Sequence, residues 1–197
     1  NMRGAILFGT DLRGAKLDRC DLIGCDFRGA ALRGATITWA DLSTADLRDG
    51  FLMMQTKGEI VPVHREAATA TELSKARMEG AQMLRAKLSN AFIVQTNLRD
   101  SDLRGSRFIH ANLSGSDLTG ANLEGTDLSE ANLSGAILEG AILSCSVLRQ
   151  TNFTDASLVG AIETSGQIGV GEFCDETCAS GNSIVVLARF ECRVKIG

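Results

Sequence analysis

Along most of this chain an apolar residue returns at every fifth position, with a small residue two places before it and polar residues between. The series runs Leu7, Leu12, Leu17, Leu22, Phe27, Leu32, Ile37, Leu42, Leu47, Leu52, then resumes at Met78 and continues unbroken to Leu158. A period of five is neither the 3.6 of a helix nor the 2 of a flat strand. In a quintet such as Ala121-Asn122-Leu123-Glu124-Gly125, Ala121 and Leu123 share one side of an extended segment and Asn122 takes the other. Glu124 faces water, and Gly125 lets the chain bend, since Gly tolerates positive φ. Short straights separated by bends predict a coil whose turns stack and pair their backbones. The small residue is what a close-packed narrow bore admits beside each Leu.

The triplets Ala40-Asp41-Leu42, Ala45-Asp46-Leu47, Ala111-Asn112-Leu113, Ala121-Asn122-Leu123 and Ala131-Asn132-Leu133 carry the motif A(D/N)LXX. In this the chain resembles the pentapeptide-repeat family, in a leucine-rich form similar to members abundant in cyanobacteria. The resemblance implies an all-β solenoid, a right-handed quadrilateral β-helix with four quintets per coil. Twenty-seven quintets, about 135 of 197 residues, then make nearly seven coils and a rod on the order of 30 Å long. Residues 20 apart would stack: Asp21 under Asp41, Asp26 under Asp46, Arg13 with Arg33, Arg28 with Arg48. Asn112, Asn132 and Asn152 would form a ladder. The Asn and Asp before each Leu are expected to hydrogen-bond nearby turn backbone. Leu12, Leu32, Leu98, Leu118, Leu138 and Leu158 are expected in the core.

The repeat breaks twice. Leu52 to Met78 spans 26 residues, five quintets plus one, so the register slips. The coils are therefore expected over 1–52 and 76–163, with an insertion at 53–75 and a non-repeat tail at 164–197. Within the insertion, Gln55 to His64 holds the only Pro and reads as an exposed loop. Arg65 to Lys75 is rich in helix formers, which predicts a short helix over 65–76. Either one solenoid departs and re-enters out of phase, or two solenoids lie in tandem. The tail alternates apolar and polar residues toward Ile196, a strand signal. It reads as a cap for the terminal coil, with a dimerisation strand as the alternative.

The 197 residues are 44% hydrophobic with net charge −4 and a pI near 5.2. No apolar run reaches the roughly 20 residues of a membrane helix, and no secretory signal is visible. Six Cys in no dense framework favour a reducing, cytoplasmic compartment; Cys20 and Cys25 fill small-residue positions in the coil. Cys174, Cys178 and Cys192 lack an evident fourth ligand for zinc, so free thiols are expected, with a terminal disulfide as the alternative. Only two His occur and no nucleophile or phosphate motif appears. No enzyme activity, metal or cofactor is expected.

Charge is uneven. Residues 1–52 carry seven basic and seven acidic residues, whereas 110–163 carry Arg149 alone against seven acids. An acidic protein poor in stacking aromatics is not expected to bind nucleic acid directly. These features point to a non-catalytic rod-like scaffold or protein-interaction module, a monomer or end-to-end dimer. Loops on rigid scaffolds often carry function, so Lys57, Glu59, His64, Arg65 and Glu66 are the first candidates for contact with a protein partner. The Arg13/Arg33 and Arg28/Arg48 ladders come second. The alternative drawn from the resemblance is a DNA mimic that occupies the cationic groove of a type II topoisomerase, DNA gyrase. The mainly Leu centres, the neutral N-terminal part and the modest net charge depart from such mimics.

Overall fold

A computed structural model describes residues 1–49, the backbone of 52–56 and 59–63, and residues 70–162. Its body is a repeat β-solenoid made of isolated parallel bridges between residues 20 apart, such as Asp21↔Asp41, Asn97↔Asp117 and Asn132↔Asn152. Each bridge sits on the residue before the central apolar one. Four quintets therefore separate stacked positions. Backbone bonds join the coils in a fixed pattern. The N–H of Leu98, for example, donates to the Asp117 carbonyl (2.7 Å), and that of Asp117 to the Thr96 carbonyl (3.0 Å). A tight turn closes each quintet, as where Thr126 N–H donates to the Leu123 carbonyl (3.1 Å).

The third position of that turn has positive φ throughout. Fourteen Gly adopt it, and so do thirteen other residues, among them Trp39 (φ 57°) and the β-branched Thr44 (φ 61°). Such a turn favours Gly at this position, which explains where most glycines fall. The ladder holds the same shape where Gly is missing.

The bore is filled by Leu and Ala. Leu32, Leu98, Leu118 and Leu138 are at most 1% exposed, and Leu158 is 9% exposed. Each fully buried Leu contributes roughly 2 kcal/mol of apolar transfer. Leu12 is only partly buried, like Met2 and Leu7. It lies in the first coil, whose side chains have packed neighbours on one side alone. Small-residue positions also carry hydroxyls that stitch coils together. Thr96 Oγ1 donates to the Leu73 carbonyl 23 residues back (2.9 Å), and Ser116 Oγ does the same to Ile93.

The insertion differs from expectation. Where an exposed loop was expected over 55–64, an antiparallel hairpin forms: β1 (Leu52–Thr56) pairs with β2 (Glu59–Val63), Leu52 opposite Val63. Two residues separate the strands, the second Gly58, and β2 is rich in β-branched residues, a combination that favours a hairpin. Pro62 is compatible because both strands of a two-stranded sheet are edges. Leu52 consequently belongs to β1 and not to the coil. Of the helix expected over 65–76, residues 70–76 are coil; 64–69 lie outside the described residues. Thr71-Glu72-Leu73 is a quintet start in phase with Met78, and Leu73 is buried. Coil bonding here overrides a weak helix propensity.

Across the insertion the ladder continues with an offset of 41: Ala31↔Glu72, Thr36↔Arg77, Asp41↔Gln82, Asp46↔Lys87. The 21 extra residues leave and return at one corner. Buried Thr71 seals it. Its hydroxyl accepts from Gly29 N–H (3.1 Å) and lies within donating reach of the Arg48 carbonyl (2.8 Å) and the Phe27 carbonyl (3.0 Å). The tail from residue 163, with its expected cap, strand and Cys174, Cys178 and Cys192, lies outside the described residues.

Candidate interaction surface

Each outward Asp or Asn before a central apolar residue bonds its own turn first. The Oδ1 of Asp41, Asn112, Asn122, Asn132 and Asn152 each accepts the N–H two residues on, at 2.9–3.1 Å. These are the expected Asx turns. The Asn ladder adds a side-chain chain of its own: Asn132 Nδ2 donates to Asn112 Oδ1 (3.4 Å), and Asn152 Nδ2 to Asn132 Oδ1 (3.1 Å).

Where Arg follows two residues after Asp, the same carboxylate also clamps the guanidinium. Arg28 Nε donates to Asp26 Oδ1 (2.8 Å) and Nη2 to Oδ2 (2.7 Å); Arg48 holds Asp46 the same way at 2.9 and 2.7 Å. Arg13 grips Asp11 at 2.9 and 2.5 Å, and Arg104 grips Asp102 at 2.8 and 2.7 Å. Such bidentate pairs are directional as well as attractive. The side-chain bond from Arg13 is the main reason the Asp11 carboxyl falls to about 2, and Arg28 and Arg104 likewise lower Asp26 and Asp102. At Asp46 burial pushes upward, but the bonds from Arg48 outweigh it and the carboxyl stays low. Arg28 also lies over the Phe8 ring, 5.4 Å from its centroid, a cation–π contact.

Three of the four candidate arginines, Arg13, Arg28 and Arg48, are thus already partnered by their own Asp. Arg33 has Ala31 where the clamping Asp would be, and forms no ion pair with another described residue. Of the insertion candidates, Lys57, His64, Arg65 and Glu66 lie outside the described residues. Glu59 begins β2, paired with Thr56.

Elsewhere on the surface, Asp18 accepts from the Thr36 and Thr38 hydroxyls (2.7 and 2.6 Å), and His110 Nδ1 lies 3.2 Å from Glu130. Arg99 reaches up one coil to Asp117 (3.1 Å). Trp39 is 59% exposed, its indole lying where a Cβ on Gly80 of the next coil would stand. Among the described residues no group of three His, Cys, Asp or Glu is placed to hold a metal ion. Nor is any described helix long and apolar enough to cross a membrane.

The family model for pentapeptide repeats matches in eight copies, over residues 1–22, 10–49, 69–105, 106–144 and 131–162. The chain belongs to the pentapeptide-repeat family. Among solved structures, a pentapeptide repeat protein from Nostoc PCC 7120 is 36% identical over 45% of this chain and 77% of its own, with a TM-score of 0.41. QnrB1, a plasmid-mediated fluoroquinolone resistance protein, is 17% identical over 91% of each chain, with a TM-score of 0.45. A pentapeptide repeat protein of the Arabidopsis thaliana thylakoid lumen is 20% identical over 80% of this chain and 90% of its own, with a TM-score of 0.33. No curated protein matches the chain.

As a pentapeptide-repeat protein the chain offers surfaces built from two outward rows per face. A reading of 20-residue stacking alone misses the Asp-x-Arg clamps. Their signal was present in Asp11-Leu12-Arg13, Asp26-Phe27-Arg28, Asp46-Leu47-Arg48 and Asp102-Leu103-Arg104.

Proposed function

We propose that this pentapeptide-repeat protein is a non-catalytic, rod-like scaffold that presents its faces and hairpin to a protein partner. One observation carries the reading: the interior is occupied by Leu, Ala and bonded hydroxyls, and among the described residues no buried side-chain polar atom lacks a partner. A polar group kept buried and unpaired is a common mark of a site; here chemistry is confined to the outside. On this reading the coils form one right-handed quadrilateral rod of about seven turns, and residues 164–197 cap it. The protein works in the cytoplasm, as a monomer or end-to-end dimer. Lys57, Glu59, His64, Arg65 and Glu66 remain the first partner-contact candidates, with Arg33 next because its guanidinium is the unclamped one of the two ladders.

The test is affinity capture from the native cell with the whole chain and with a variant lacking Leu52–Val63. Proteins retained by the whole chain and lost by the variant, with the β-rich circular dichroism unchanged, support the reading. An identical set of captured proteins overturns the role of the hairpin.

A second reading is favoured by charge alone. Residues 110–162 carry Asp117, Glu124, Asp127, Glu130, Glu139 and Asp155 against Arg149, and an acidic rod can compete for a cationic DNA-binding groove. It predicts inhibition of DNA gyrase supercoiling that weakens with added salt. No effect at micromolar protein overturns it.

A further inference from the structure

The hairpin has two free strand edges, and its backbone makes them unequal. Among the described residues its sheet holds β1 and β2 alone. Residue pairs in an antiparallel ladder alternate between those that exchange both N–H···O bonds and those that exchange none. The phase is set at the turn end, where two residues separate Thr56 from its partner Glu59. A non-bonded pair there would need bonds between the adjacent residues 57 and 58, which the chain cannot make. Thr56–Glu59 is therefore a bonded pair, and so are Met54–Val61 and Leu52–Val63. Gln55–Ile60 and Met53–Pro62 alternate with them, so their backbone groups point outward along the free edges. On β2 that edge is blunted, because Pro62 has no N–H to offer. On β1 it is intact: Met53 and Gln55 each present a donor and an acceptor, in a strand without Pro or charge. Among the described residues no backbone bond joins these two to the coils.

We propose that the β1 edge pairs with β1 of a second copy, giving an antiparallel four-stranded sheet in the order β2-β1-β1-β2 about a two-fold axis. The edge itself argues for this occupant. With Met54 on the axis, Met53 of each copy faces Gln55 of the other, and every outward N–H and C=O of these residues is bonded. One segment thus satisfies its own twin, as an isologous contact requires. A hairpin of two strands is marginal in water, and three or more strands are needed for independent stability; pairing supplies them. β1 carries no charge to repel its copy. Pro62 then stands on both outer strands, so the sheet ends at the dimer and does not run on as a filament. The inference rests on the scaffold reading's choice of the hairpin as contact element, and sets a dimer joined at the flank against the end-to-end one.

Sedimentation velocity of the whole chain tests it. With rising concentration the unaltered chain should pass from the 20.9 kDa of one copy to twice that mass. Gln55→Pro removes an outward donor from each β1 and leaves every bond inside the hairpin, so it should weaken dimerisation about tenfold or more. Ile60→Pro makes the same change on the edge already blunted, and should dimerise as the unaltered chain does. Met54→Cys reads the register. Opposed non-bonded residues have Cα atoms about 4.5 Å apart, within the span of a disulfide, so copper phenanthroline should link two copies of this variant far faster than of Met53→Cys. A chain that stays monomeric to millimolar concentration overturns the proposal. Equal dimerisation of Gln55→Pro, equal loss in Ile60→Pro, or equal linking of the two Cys variants overturns it as well. A monomer that still captures proteins through Leu52–Val63 overturns it while leaving the scaffold reading in place.

Discussion

The first coils and the last coils solve the same backbone problem with different chemistry. In both, an Asx oxygen takes the N–H of the turn two residues later. In the first coils the acceptor is an Asp that also grips an Arg, as in Asp11–Arg13, Asp26–Arg28 and Asp46–Arg48. In the last coils it is often a neutral Asn followed by Ser or Thr, as in Asn112, Asn132 and Asn152. The turn is indifferent to the choice, so surface charge is set independently of the fold. That independence leaves the early coils near neutral while the late ones are acidic.

The largest expected contrast lies beneath these surfaces. Leu118→Ala should cost about 3 kcal/mol, in line with cavities in closed cores, whereas Leu12→Ala, in the half-open first coil, should cost less than half as much. Urea unfolding of both variants checks the ranking, and equal losses would show that the first coil is as well packed as the middle. Next comes the corner column. Gly80→Ala meets both a positive φ and the Trp39 indole, for about 2 kcal/mol, against about 1 for Gly125→Ala, where φ is the sole objection. Trp39 fluorescence should shift in the first variant and not in the second. Asn132→Ala, which removes a turn acceptor and a rung of the amide ladder, should lose about 1 kcal/mol. Thr44→Gly should gain up to about 1 kcal/mol by relieving a β-branched residue from positive φ.

The smallest effect separates the two chemistries by pH. A carboxyl lowered by folding stabilises fully above its unfolded value and loses that contribution as pH falls through its folded value. For Asp11 the window runs from 3.8 down to about 2, and Asp26 and Asp102 shift in the same direction. Amide protection factors, corrected for the intrinsic pH dependence of exchange, should therefore fall in the Asp–Arg turns on acidification through this window. The turns closed by Asn112, Asn132 and Asn152 have no carboxyl to protonate and should hold. Equal behaviour would show that the clamps add nothing to the turns they decorate.

Much of the solenoid was legible because one period served both burial and turning. Leu98, Leu118 and Leu138 could be assigned to the core from spacing, and Asp21 under Asp41 from the four quintets per coil that the family resemblance implies. The insertion was harder because composition was read in place of phase. Arg65 to Lys75 is helix-prone, yet Thr71 and Leu73 already keep time with Met78. The arginine columns misled for a related reason. Counting 20 residues forward brought Arg28 and Arg48 together, while the stronger partner stood two residues back. The hydroxyls of Thr96 and Ser116 were read only as small, since size explained their position before bonding was considered.

Thr71 has a consequence for what this rod can become. Its hydroxyl bonds both sides of the corner where the segment leaves after Asp49 and returns near residue 70. That gap is a socket. Because the entropy of closing a loop rises by only about 0.6 kcal/mol per doubling of length, quite different inserts could occupy it with the ladder intact. Selection could therefore rewrite the hairpin freely, changing what the rod carries without renegotiating how it folds.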